Sequence, residues 1–206
     1  MENILQINSS IHEGDGQSSR LADEFVANLR RQQARSQLTV RNLASEPVPH
    51  LDAERFAAFL SKPEDRNSVQ QAVVAYSDAL ISELKQADTI VIGLPMYNFG
   101  VPSQLKAWID HVARAGVTFR YTQQGPIGLL TGKKAYVLAT RGGLYAGTPA
   151  DTQTDYLRNF LAFIGITDVE FVYAEGLAMG DVAKTEALSS AKSTIRKLTF
   201  AHGVAA

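Results

Sequence analysis

Apolar positions along the chain fall into two alternating patterns. "NILQIN" (Asn3 to Asn8) is a short apolar run ending in the small-residue segment "SSIHEGDGQS", after which Leu21, Phe25 and Leu29 recur at helical spacing. "QLTVRNL", with Leu38 and Val40 two apart, reads as a second strand. "SEPVPHLD" then breaks the chain before a short helical patch holding Phe56, Phe59 and Leu60. From Ser68 to near Asp88, the residues Val73, Tyr76, Ser77, Leu80, Ile81 and Leu84 predict one helix face. "DTIVIGLP" follows as a continuous apolar strand of the kind buried on both sides. Leu105, Trp108, Ile109 and Val112 mark the next helix, "KAYVLAT" the fourth strand, and Leu157, Phe160, Leu161 and Ile164 another helix. "DVEFVYA" is the fifth strand, and Leu188, Ala191, Ile195 and Leu198 define a last helix.

Strands and helices in strict alternation predict an α/β architecture, a parallel sheet covered on both faces, because right-handed crossovers carry helices to either side. A chain of 206 residues with 45% hydrophobic content and no linker or repeat is expected to form one domain, 1–206. In such sheets ligands bind beyond the carboxyl ends of the strands where the strand order reverses. The loops after strands one, three and four are therefore expected to converge.

Charge narrows the partners. Twenty basic and 21 acidic residues give a net charge of -1 without long runs, so neither nucleic acid nor an anionic membrane is expected as a partner. No apolar run reaches the roughly 20 residues that span a bilayer. The absence of cysteine removes disulfides and thiolate chemistry, and suits a reducing, cytoplasmic setting. Redox work would need a borrowed cofactor.

The first loop, Ser9 to Ser18, sets Ser10, Gly16, Gln17 and Ser18 before a helix, where hydroxyls, backbone N–H groups and the helix dipole suit a phosphate. A helix cap by Ser18 or Ser19 explains the same residues without a ligand. Gly14 and Gly16 are followed by Ser19 where a dinucleotide fingerprint needs Gly, and "TGKKA" lacks the spacing and hydroxyl of a P-loop. In the second loop Met96, Tyr97, Asn98 and Phe99 stand between Pro95 and Pro102, a stiff loop with apolar faces and backbone amides that suits a flat heterocycle. Filling of the core by Tyr97 and Phe99 is the alternative. In the third loop Thr140, Arg141, Gly142 and Gly143 allow close backbone approach, or simply a tight turn with an exposed Arg. Three loops that fit one flat, phosphorylated ligand point to flavin mononucleotide, with the phosphate in the first and the isoalloxazine against the other two.

"PMYNF", "ARAGVTFRYT", "GLLTGKKA", "RGG", "FIGITDV" and "AEG", spread over nearly the whole chain, resemble the FMN-dependent NADH:quinone oxidoreductase and azoreductase family. The resemblance implies a flavodoxin-like three-layer sandwich with strand order 2-1-3-4-5, and a homodimer with its two sites at the subunit interface. It implies FMN contacts from the residues already named in the three loops, and a substrate pocket walled by Tyr121 and Phe163. Gly16 stands where the family pattern has Ser, and Gly100, Pro102, Tyr145 and Gly147 also depart from it.

The implied reaction is a ping-pong two-electron transfer from NADH or NADPH to quinones, with azo compounds as further acceptors. No catalytic side chain is expected, since the flavin carries the chemistry. A flavodoxin-type electron carrier is the alternative, and its usual strong acidity is missing here. No G-x-S-x-G occurs, and His12, His50, His111 and His202 show no triad or metal spacing. His111 is expected to be a partly buried or interface residue.

Overall fold

A computed structural model describes residues 2–205. The chain runs β1 (Asn3–Asn8), α1 (Gln17–Gln32), β2 (Gln37–Asn42), α2 (Ala53–Leu60) and α3 (Ser68–Gln86). It continues through β3 (Thr89–Pro95), α4 (Ser103–Val112), β4 (Phe119–Thr122), β5 (Gly125–Gly128) and β6 (Lys134–Thr140). The last elements are α5 (Thr152–Ile164), β7 (Asp168–Ala174) and α6 (Asp181–Ala205). Five strands form a parallel sheet in the order β2-β1-β3-β6-β7, which is the expected 2-1-3-4-5 once the β4–β5 hairpin is set aside.

Alternation along the central strands sorts the core into two layers. Leu5, Ile7, Ile90, Ile92 and Val137 face α3, α4 and α5, meeting Leu80, Ile81, Leu84, Trp108, Leu157 and Phe160. Ile4, Val91, Tyr136 and Leu138 face the other way, against Leu21, Phe25 and Leu29 of α1 and Ala191 and Ile195 of α6. Fully burying one such side chain contributes about 1.5–3 kcal/mol. Both faces are thus sealed, and the carboxyl ends of the strands form the open edge. Register aligns that edge: Asn8 pairs with Gly93, Pro95 with Thr140, and Thr140 with Ala174.

Two details differ from the sequence reading. The buried face of α3 runs through Ser77, Leu80, Ile81 and Leu84 as expected, but it begins at Val74, while Tyr76 is exposed and Val73 half-buried. The antiparallel hairpin of β4 and β5 was not expected; four-residue strands carry too little periodicity to register. Among the described residues no helix is long and apolar enough to cross a membrane.

The hairpin reaches the sandwich through two glycines. A Cβ on Gly128 would lie 2.0 Å from Gly165 N, so two backbones touch where only hydrogen fits. Gly165 itself ends α5 in the left-handed region at φ 106°. Gly128→Ala is expected to cost about 2–3 kcal/mol by overpacking. Gly14→Ala, with nothing within 4 Å of its Cβ, is expected to be near neutral. Urea unfolding of the two variants checks this, and equal midpoints would contradict it.

Candidate functional site

Loop one doubles back from β1 into α1. Ser9 fastens its start, donating to Gly93 O from the backbone at 3.3 Å and from Oγ at 2.6 Å. Ser10 is buried, and its Oγ accepts from His12 N at 3.2 Å. Gly16 is the N-cap of α1, no side chain caps the helix, and its first turn carries no acidic residue. Asp15 just before the cap is paired with Arg20, and the first turn thus leaves its orphan N–H groups and positive pole without an acidic side chain. Ser18 Oγ is buried beside them without a hydrogen-bond partner. These donors fit a phosphate group. A Cβ at position 16 would lie 2.1 Å from Ser10 Oγ, so the Ser10 hydroxyl occupies the space that a side chain at 16 would take.

Loop two is a two-residue turn. Tyr97 and Gly100 exchange backbone hydrogen bonds at 3.2 and 2.9 Å, while Asn98 and Phe99 take φ of 50° and 62°. Positive φ at both central residues is the type I′ turn of tight hairpins, one that Asn tolerates and Phe resists. Phe99 stays there because its surroundings hold it. Thr152 Oγ1 donates to Phe99 O, and Gln153 Nε2 donates to Pro95 O at 2.9 Å and Gly100 O at 2.8 Å. Met96 N donates to Thr140 O at 3.0 Å. The Tyr97 hydroxyl accepts from Ile11 N at 3.3 Å and stands 3.4 Å from Ser10 Oγ, tying loop two to loop one.

Loop three is built on a buried cation. The Arg141 side chain is fully buried, not exposed as a simple turn would leave it. Its Nη2 donates to Asp151 at 2.7 Å and Thr154 Oγ1 at 3.1 Å, and its Nη1 to Glu175 at 3.1 Å. The guanidinium also lies over the Tyr173 ring, 5.0 Å from its centroid. Burial pushes the Asp151 carboxyl up, but hydrogen bonds from Arg141 and Thr154 outweigh it and leave it below its usual range. Glu175 Oε1 accepts in addition from Tyr145 N and Ala146 N, both at 2.9 Å. Arg141 thus serves the site through its backbone position, with its charge spent inside the fold. Gly142 is exposed, and its carbonyl accepts from Ala178 N at 3.0 Å.

The structure brings Ser10, Gly16, Gln17, Ser18, Met96 to Phe99 and Thr140 to Gly143 to one edge of the sheet. Tyr121 and Phe163 belong to a different aromatic row, meeting through Phe119 at 5.5 and 4.2 Å. Tyr121 is 73% exposed on the hairpin. His111 lies buried between the edges of Phe59 and Tyr76, with both ring nitrogens unpartnered, and burial lowers its pKa. A cleft of about 970 Å³ opens at the opposite, amino-terminal edge of the sheet. Most of its charges are engaged, Lys133 with the carbonyls of Lys85 and Ala87, Lys134 with Asp168, and His202 with Glu2 and the Tyr136 hydroxyl, while Arg35 on its rim is exposed.

A family model described as flavodoxin-like fold matches residues 2–198. An FMN-dependent NADH:quinone oxidoreductase of Cellvibrio japonicus is 53% identical over 197 residues, covering 96% of this chain and 98% of the relative. One of the same name from Alcanivorax borkumensis is 56% identical over 193 residues, covering 94% and 98%. The chain belongs to this family. The crystal structure of an FMN-dependent NADH-azoreductase from Bacillus anthracis, solved in complex with FMN, superposes with a TM-score of 0.90 at 27% identity over 98% of this chain and 100% of that one. The flavodoxin-like fold and sheet order expected from the sequence are those found.

Asp151, Gln153 and Glu175 shape this family member's site and escaped the sequence reading. Asp151 sits three residues before Thr154, a helix-cap signal. Glu175 lies in the quoted "AEG", but nothing in the sequence marks Gln153. If the turn of loop two is held as described, Asn98→Ala is expected to cost about 1 kcal/mol and weaken ligand retention, because Ala fits positive φ poorly. Asn98→Gly is expected to keep the stability. Thermal unfolding of both variants checks the pair, and equal loss would show that the Asn98 side chain, not its φ, matters.

Proposed function

We propose that this protein is an FMN-dependent NAD(P)H oxidoreductase that reduces quinones to hydroquinones and azo compounds to amines. The observation that carries the reading is the pairing of the uncapped start of α1 and its orphan Ser18 hydroxyl with the stapled turn at Asn98 and Phe99, the two loops being tied together by the Tyr97 hydroxyl. A phosphate and a flat ring are held by different chemistry, and here both kinds of holder stand on one sheet edge. The names of the two relatives above, both FMN-dependent NADH:quinone oxidoreductases, support the same choice.

Ser10, Gln17, Ser18 and the first amides of α1 would hold the phosphate, while Met96 to Phe99 and Thr140 to Gly143 would line the ring system. Bound FMN would supply two-electron chemistry, passing a hydride from reduced nicotinamide to the acceptor, once with a solvent proton for a quinone and in two such rounds for the cleavage of an azo bond to two amines. The chain's own task is positioning. Its backbone groups near Asn98 and Gly142 would meet the ring edge, and the turn of loop two would exclude water from one ring face. No side chain is required to carry a proton or form a covalent bond. Tyr121 and Phe163 are assigned to the acceptor pocket.

The working form is proposed to be a homodimer in the cytoplasm. Exposed Phe56, Leu60 and Val69 on α2 and α3 supply apolar surface that a second copy would cover. The lack of cysteine suits a reducing compartment.

Apoprotein titrated with FMN is expected to bind it stoichiometrically at micromolar concentration, giving a yellow protein. Anaerobic NADH should bleach it and a quinone should restore the colour. Failure to bind FMN, or a bound flavin that NADH does not bleach, would overturn the reading.

A further inference from the structure

Loops two and three are joined by an aromatic contact that the assignment above leaves without a role. The Tyr145 ring lies against Gly143, so closely that a Cβ there would be 2.7 Å from both Cζ and the hydroxyl oxygen. The same ring meets the edge of Phe99 at 5.5 Å and 66°. Its backbone is pinned from both sides. Glu175 Oε1 accepts from Tyr145 N at 2.9 Å, and Tyr145 O accepts from Thr148 N at 2.9 Å and Thr148 Oγ1 at 2.8 Å. The ring therefore springs from a fixed base and is half-buried, bordered by exposed Phe99, Gly142 and Leu144.

The Ser18 and Ser19 hydroxyls are also unpartnered but are sealed at the start of α1, whereas hydroxyls bordering loops two and three are engaged within the protein. Tyr97 accepts from Ile11 N, and Thr148, Thr152 and Thr154 bond to Tyr145 O, Phe99 O and Asp151. The Tyr145 hydroxyl has no hydrogen-bond partner among the described residues and is not sealed from solvent. A placed phenol with a spare donor, flanked by apolar groups, recognises a flat apolar molecule that carries an oxygen acceptor.

Resting on the proposed function, we infer that Tyr145 selects the electron acceptor by donating a hydrogen bond to a quinone carbonyl oxygen. The bond strengthens as negative charge gathers on that oxygen during reduction. Azo compounds present no carbonyl there and gain less from it. The Tyr145 ring, distinct from its hydroxyl, keeps Phe99 and Gly143 in place and would serve any acceptor alike.

Tyr145→Phe separates the two, since it keeps the ring and removes only the donor. Three readouts are made on holoprotein. The first is the affinity of 1,4-naphthoquinone for the oxidised protein, read from the perturbed flavin absorbance without turnover. The second and third are the rates at which that quinone and ferricyanide, an acceptor needing no such hydrogen bond, reoxidise the reduced protein. Tyr145→Phe is expected to weaken quinone binding about fivefold, the worth of one neutral hydrogen bond, and to slow reoxidation by quinone at least as much. Reoxidation by ferricyanide and the affinity of the apoprotein for FMN should stay at wild-type values. Unchanged quinone affinity and rate, or a loss shared equally by ferricyanide, would overturn the inference while leaving the flavoenzyme reading intact. Wild-type protein that takes up no FMN would overturn both.

Discussion

The site depends on a cation buried where no water reaches it. Removing a guanidinium from water costs several kcal/mol unless its donors are met, and Arg141 meets Asp151, Thr154 and Glu175 around its two terminal nitrogens, leaving only the buried Nε without a partner. These partners come from three parts of the chain: the cap of α5, its first turn, and the residue after β7. Arg141 can be buried only when all three are in position, so the end of β6, the start of α5 and the end of β7 form one unit. Glu175 then passes the constraint outward by accepting from two amides of loop three. Exposed surface ion pairs of this protein, such as Arg20 with Asp15, contribute little beside it.

The same helix extends the order to loop two. Thr152 and Gln153, directly after Asp151, donate to carbonyls of Pro95, Phe99 and Gly100. A phenylalanine at positive φ is unfavourable alone, and these bonds offset it. Loop one joins through the Tyr97 hydroxyl. The three strand ends are thus bound into a cradle by groups from α5 and β7, and the strain sits where a ligand would press. Preorganisation of this kind lowers the ordering cost of binding and suits a site whose work is to hold ring planes in contact.

Much of the fold was legible because buried strands such as "DTIVIGLP" and helices such as Leu105 to Val112 carry unmistakable periods. The slip at Val73 and Val74 arose because adjacent β-branched residues satisfy either phase of a helix. The hairpin at Phe119 to Gly128 was illegible because its packing depends on Gly128 meeting Gly165, a contact distant in sequence. In the site, loop positions could be read from the topology of parallel sheets. The destinations of polar side chains could not. Arg141 reads in sequence as the exposed side chain of a tight turn, and only the partners at 151 and 175 show that it points inward. Gly16 looks like a lost hydroxyl until Ser10 is seen in its space.

This cradle exists before any ligand arrives. Amide hydrogen exchange on the apoprotein at Tyr145, Ala146 and Gly100 tests it most directly. These amides are expected to be protected already by roughly a hundredfold or more over an unstructured chain, with added FMN changing them far less than that. Exchange at the unstructured rate in the apoprotein, with protection gained only when FMN is added, would contradict it.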